Sequence, residues 1–175
     1  MIILIRNIVN CISESFTNVK LVIAGFDKNE ILKDKIQNDR IFHFGELSKV
    51  ALFELYAISE LGIIPSLYEQ CSYVALEMMM HGLPTIATDI PGLSELFCNN
   101  LSAKLVNIKF DKSGYEFEPT CITQEVLKLL NDRNLAARYR RNACLQFRKR
   151  FSAKRMVNFT FRTYDQVANK SSYND

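Results

Sequence analysis

Five short apolar runs, at residues 19–24, 41–44, 61–64, 84–87 and 103–106, punctuate the first two thirds of the chain. Most are nearly continuous in apolar character rather than alternating, as strands buried on both faces should be. Helical patterns fall between them near 29–37, 48–58 and 72–81, and Ser48 stands where it can N-cap the second. Strand, helix, strand, helix with brief links is the pattern of a parallel sheet with helices on both faces. The expected class is therefore α/β, with its sheet within residues 1–120.

From Thr120 onward the strands stop. Three helical stretches follow, near 121–130, 133–149 and 153–168, so residues 121–168 read as a helical extension of one domain. Residues 107–120 are the least patterned stretch and are expected to be a loop. The tail beyond 168 is polar and expected to fray. At the other end, Ile2, Ile5, Val9 and Ile12 recur at helical spacing, which predicts a core-facing helix. That apolar run is broken by Arg6 and Asn7, is followed by no small-residue cleavage site, and is too short for a membrane span. A chain that starts directly inside a helix is expected to be the continuation of a longer one.

Composition narrows the function classes. At 175 residues, 48% hydrophobic and 23% charged, the chain can bury one sizeable core. A net charge of +3 makes no case for a nucleic-acid partner. Five scattered cysteines without a C-x-x-C fit neither a zinc site nor a disulfide framework, and point to a reduced, cytoplasmic protein. With two histidines, His43 and His81, and no Asp-x-Asp, no metal is implied. The run Arg138, Arg140, Arg141, Arg148, Lys149 and Arg150 reads as a solvated helix face.

Residues 65–95 carry the chemistry. A strand ends at Ile64, and a helix starts near Ser72 with its N-terminus at the carboxyl end of the sheet. Free N–H groups and the helix dipole there favour a phosphate or diphosphate. Two carboxylates flank the turn: Glu69 in the loop, and Glu77 on the helix with seven residues between. Glu77 lies among Val74, Ala75, Leu76 and three methionines, so it must sit at an edge or bond something specific. A ribose diol would satisfy it, and Glu69, nearer the phosphate end, would then reach sugar hydroxyls. Gly82 ends the helix and Pro84 restarts the chain as a strand. A turn from Asp89 to Glu95 follows at the same end of the sheet, where Gly92 permits close backbone approach and Glu95 follows it into the site.

This segment resembles the donor-site signature of the retaining glycosyltransferases that include glycogen and sucrose synthase-like enzymes (group 1, GT-B fold). The matching residues are Pro65-Ser66, Glu69, Glu77, Gly82, Pro84 and Ile90-Pro91-Gly92-Leu93-Ser94-Glu95. Weaker matches are the strand ending in Gly25, the turn Phe44-Gly45, and Arg150-Phe151-Ser152 opening the last helix. The resemblance implies a Rossmann-like parallel sheet flanked by helices, the C-terminal half of a GT-B fold. It implies that Glu77 holds the ribose hydroxyls, that Glu69 is the catalytic-site residue at the donor sugar, and that backbone around Ser72, Tyr73 and Val74 meets the phosphates. Base recognition falls near Phe42 to Gly45. The implied substrate is a nucleoside diphosphate sugar, without cofactor or metal, and the hexosyl group passes to an unknown acceptor glycan with retention.

Two departures accompany the match. Gln70-Cys71-Ser72 stands where the family has Gly-Phe-Gly, and Pro91 replaces the first of two loop glycines. The family's first C-domain strand, with a Gly-Arg and a following Lys, lies upstream of this chain, as does the N-terminal Rossmann-like acceptor domain. The chain alone is thus expected to be inactive, and the longer enzyme cytoplasmic or peripheral at the inner membrane face. The family's last helix crosses back to that domain. Met156, Val157, Phe159, Phe161, Tyr164 and Val167 therefore predict an exposed apolar stripe or a dimer contact. Met78–Met80 read as core filler, and His81 as a helix-end histidine favoured by the dipole. Cys71 lies at a helix N-terminus, which lowers a thiol pKa, but has no histidine nearby in sequence. Tyr56, Tyr68 and Tyr73 suit either stacking on a ligand or packing. Rival readings are a non-catalytic nucleotide-sugar binding module and a nucleotide-sugar epimerase or phosphorylase of similar fold.

Overall fold

The computed structural model describes residues 10, 12, 16, 18–25, 39–111, 114–116 and 119–171. Ile2, Ile5 and Val9, the helix expected near 29–37 and the end of the tail lie outside them. Strand β1 (Leu21–Ala24) pairs in parallel with β2 (Ile41–Gly45). Strands β3 (Gly62–Ile64), β4 (Thr85–Thr88) and β5 (Lys104–Val106) make a second parallel sheet in that order. The connections carry α1 (Lys49–Ile58) and α2 (Tyr73–Met80), and a short helical turn, α3 (Pro91–Ser94), follows β4. Ser48 caps α1 as expected, accepting a bond from the Ala51 N–H at 3.3 Å.

The α/β class is as read from the sequence, but the ladders divide in two rather than run as one sheet. Among the described residues β1 pairs only with β2, and β3 only with β4, so each keeps one edge free. A second difference is in residues 107–120, expected as a loop. They contain an antiparallel hairpin, β6 (Lys109–Asp111) and β7 (Gly114–Glu116). Three residues a side offer too little alternation for periodicity to register.

Helices α4 (Pro119–Asn131), α5 (Arg133–Arg150) and α6 (Ala153–Ser171) close the chain. The period-two geometry of the strands builds two cores, one on each face of the second sheet. Ile86 and Val106 point into one, with Ile122, Val126, Leu129 and Ile12, whose burial agrees with the expected core-facing first helix. Ala87 and Leu105 point into the other, with Met78, Met79 and Leu83 from and after α2. Helix α5 spans both, Tyr139 packing in the first and Ala143 in the second. Gly82 (φ +65°) permits this: a Cβ there would lie 2.7 Å from Cys144 Sγ.

Helix α6 buries none of its apolar stripe. Met156, Val157, Phe159, Phe161, Tyr164 and Val167 are all exposed, as the sequence predicted. No helix among the described residues is long and apolar enough to cross a membrane.

Candidate functional site

Because β3 and β4 are parallel, the loops that follow them emerge at the same end of the sheet. Thr88, the last residue of β4, ties them together by donating its hydroxyl to the Ser66 carbonyl. Gly92 brings them closer still. A Cβ at this position would lie 2.2 Å from the Glu69 carbonyl oxygen and 3.0 Å from that of Gln70. The glycine expected to admit a ligand thus first admits the neighbouring loop, and any side chain would push the two apart.

Between these loops lies a cavity of about 490 Å³, lined by residues 67–70 of one and by residues 90–92 with Glu95 of the other. That volume lies within the range of small-ligand sites. Glu69, Gly92 and Glu95 are therefore brought together as the sequence suggested. Ser66 donates its hydroxyl to Glu69 Oε1 at 3.3 Å, which orients the carboxylate. Tyr68 also lines the cavity, largely exposed, and accepts a bond from the Gln70 amide at 3.2 Å. The lining holds two carboxylates and no cation.

Helix α2 starts beside this loop. Ser72 is buried and its hydroxyl accepts a bond from the Ala75 N–H at 3.3 Å, so the side chain is committed to capping. Tyr73 and Val74 are exposed in the first turn. Cys71 is an exposed free thiol. Met78 and Met79 are core residues, as expected, and Met80 is partly exposed.

Glu77, half-buried on α2, has a specific partner: the Tyr56 hydroxyl of α1 donates to its Oε2 at 3.3 Å. Tyr56 is itself buried. Burial first, and the Glu77 charge second, push its pKa well above the usual tyrosine range, so it stays a donor. His81 packs against this pair, its ring centroid 4.6 Å from that of Phe53 and 5.7 Å from that of Tyr56. Its place is thus set by aromatic packing rather than by the helix dipole alone. Of the tyrosines left open between stacking and packing, Tyr56 packs, and its role in holding Glu77 was not foreseen. The only sequence signal was Leu52, Phe53 and Tyr56 at helical spacing on one face of α1.

Gly45 is not brought to the cavity lining. It ends β2 in the other sheet, at φ +62°, and its carbonyl accepts a bond from the Gly25 N–H at 2.7 Å. Arg150 of α5 donates to the Glu95 carbonyl at 3.0 Å, and Gln146 to that of Leu96 at 2.6 Å.

The sequence model of the family described as "Glycosyl transferases group 1" matches residues 4–146. Over 120 residues the chain is 31% identical to the uncharacterized glycosyltransferase MJ1607 of Methanocaldococcus jannaschii, covering 66% of this chain and 29% of that protein. It is 28% identical over 158 residues to N-acetyl-alpha-D-glucosaminyl L-malate synthase of Bacillus anthracis, covering 82% and 38%. Among solved structures, Anabaena Alr3699/HepE in complex with UDP-glucose superposes with a TM-score of 0.73 at 18% identity, covering 91% of this chain and 44% of that one. At that identity the likeness is one of fold, the α/β architecture of GT-B C-terminal domains. The match spans less than half the length of each of these proteins.

Proposed function

The chain belongs to the group 1 glycosyl transferase family, and on that premise we propose that it is the donor-binding half of a retaining glycosyltransferase. The reaction is transfer of a hexosyl group from a nucleoside diphosphate sugar to an acceptor hydroxyl. The observation that carries this reading is the cavity between the two tied loops, with Glu69 and Glu95 in its wall and the N-terminus of α2 beside it. Negative phosphates suit such a helix end, and the carboxylates suit sugar hydroxyls.

In this reading Glu69 holds the donor sugar at the reacting carbon, and Glu95 and the Gly92 backbone complete its pocket. The backbone of Ser72, Tyr73 and Val74 meets the diphosphate. Glu77 accepts the ribose hydroxyls with Oε1, while Tyr56 keeps Oε2 in place. Gly45 and its neighbours read the base. No metal or cofactor is assigned. Catalysis rests on positioning and on electrostatic stabilisation of the departing diphosphate.

The cavity supplies no cation for that diphosphate, so the reading assigns those charges to an upstream segment. The free edges of β1 and β3 support this, since one further parallel strand between them would join the two sheets into one. The acceptor is bound by a second Rossmann-like domain further upstream, against which α6 packs its apolar face. This chain of residues 1–175 is then a single domain, inactive alone, within an enzyme that works in the cytoplasm or at the inner membrane face.

Ligand-observed NMR with UDP-, GDP-, ADP- and TDP-sugars tests the reading, with UDP-glucose first because the HepE structure holds it. One nucleotide should show saturation transfer that Glu77→Ala abolishes. Silence across the panel, both for this chain and for one extended upstream, would overturn the assignment.

A further inference from the structure

A second concavity, of about 310 Å³, lies where α5 passes into α6, and shares no lining residue with the first. Five cations converge on it: Arg148 and Lys149 from the last turn of α5, and Lys154, Arg155 and Arg162 from α6. Arg155 and Arg162 are seven residues apart, so helix geometry sets them on one face. All five are exposed, and among the described residues the ion pairs join Glu125 to Lys104 and Lys128, leaving these five without an acidic partner. Five like charges around so small a volume repel one another, and an anion entering it would relieve that repulsion.

The placement of two of them adds an independent argument. Arg148 and Lys149 sit at a helix C-terminus, where the dipole favours cations. Lys154 and Arg155 sit in the first turn of α6, where it opposes them. Ser152 already caps that helix, accepting a bond from the Arg155 N–H at 3.4 Å. A solvated charge run accounts for Arg138, Arg140 and Arg141 further back on α5. It does not account for cations gathered at a helix N-terminus around a cavity. An anion bound there would neutralise the five charges and complement the dipole together.

We propose that this cleft is a binding site, separate from the donor cavity, for a small ligand carrying more than one phosphoryl group. Each phosphate monoester brings about −1.5 to −2 charges at neutral pH, so one phosphate leaves most of the five cations uncompensated. The three guanidinium groups present planar forks that pair with phosphoryl oxygens in bidentate fashion. The source is a free multiply phosphorylated molecule or a headgroup with two phosphate groups at a lipid surface, and the chemistry recognised, phosphoryl oxygens in close succession, is the same.

The test is titration of the isotopically labelled chain with inorganic pyrophosphate, and sedimentation with phosphatidylcholine vesicles with and without cardiolipin. Pyrophosphate should shift the amides of residues 148–162, and the shifts should weaken as salt rises. The double variant Arg155→Glu/Arg162→Glu should weaken this binding about ten-fold or more. Arg133→Glu/Arg141→Glu, equal in net charge but outside the cleft, should leave it intact. Both variants alter exposed positions, and their circular dichroism should match the parent. Cosedimentation that needs cardiolipin and is lost in the first variant only would place the ligand on a lipid. Binding of pyrophosphate without cosedimentation would make it a free molecule. Shifts confined to residues 67–70 and 90–95, an equal loss in both variants, or no response to either probe would overturn the proposal. Glu77→Ala should leave the cleft's response unchanged, which keeps this result independent of the donor-site reading.

Discussion

Helices α2 and α6 are buried in the opposite order to their amphipathicity. Helix α6 separates its residues into an apolar and a polar face across nineteen positions, whereas α2 has eight residues, mostly apolar, and no polar face. By amphipathicity α6 should be the well-packed helix. Yet Ala75 and Met79 of α2 are wholly inaccessible, while the apolar stripe of α6 stands in solvent. Amphipathicity records that a helix has a face to bury. Whether this chain holds the surface to bury it against is a separate matter, settled for α2 by β3, β4 and α5.

The contrast predicts very different responses to truncation. Met79→Ala should cost about 2–5 kcal/mol in urea unfolding, because a fully buried side chain leaves a cavity behind. A cost below about 1 kcal/mol would mean that α2 is less firmly seated than its burial indicates.

Gly92→Ala tests the contact between the two loops beside α2. The new methyl would meet the Glu69 and Gln70 carbonyls, so the loops must separate, at about 1–3 kcal/mol. In an extended, active enzyme the same change should lower kcat/KM far more than stability, since it displaces Glu69. Equal activity would detach Glu69 from the reaction.

Tyr56→Phe isolates the bond to Glu77. The hydroxyl adds about 1 kcal/mol at neutral pH, and the larger signature is alkaline. The folded state raises the Tyr56 pKa above the ordinary 10.0, so the unfolded chain releases this proton first. Stability therefore holds below about pH 10 and falls as pH climbs beyond it, by about 1.4 kcal/mol per unit for each such group. Tyr139, also raised by burial and by Glu125, contributes a second group. The variant should lose the Tyr56 share of that slope and so fall less steeply above pH 10. An unchanged slope would show that Tyr56 ionises freely.

What the sequence disclosed follows from how far apart the interacting residues are. Strands appear as apolar runs, and Ser48 and Ser72 as caps, because each signal lies within a few residues of its effect. Grouping Glu69 with Gly92 and Glu95 needed only the rule that parallel strands end on one side. The Tyr56–Glu77 bond crosses 21 residues between two helices: Glu77 alone signals the need for a specific partner, but nothing near it in sequence names Tyr56. The role of Gly92 was half legible: a glycine signals close approach, but not that the Glu69 carbonyl is what approaches. The division of the sheet depends on which edges meet, and local pattern does not encode that. Five cations in one cleft were also hidden, since in sequence they merge with a run that is mostly solvated.

Phe161→Ala has the smallest expected effect here and sharpens the comparison most. Phe161 is 64% exposed, so its removal from this chain should change unfolding free energy by less than about 0.5 kcal/mol. If α6 packs on an upstream domain as proposed, the same change in a chain extended upstream should cost about 3 kcal/mol or more, as for a buried aromatic ring. The difference between the two chains isolates the contribution of the proposed upstream surface, because the residue and its helix are the same in both. Equal small costs would mean that α6 keeps its face in solvent in the longer protein, and the docking of α6 on an upstream domain would fall. A large cost in this chain alone would show that a second copy already covers the stripe, and sedimentation at several concentrations would then reveal the dimer.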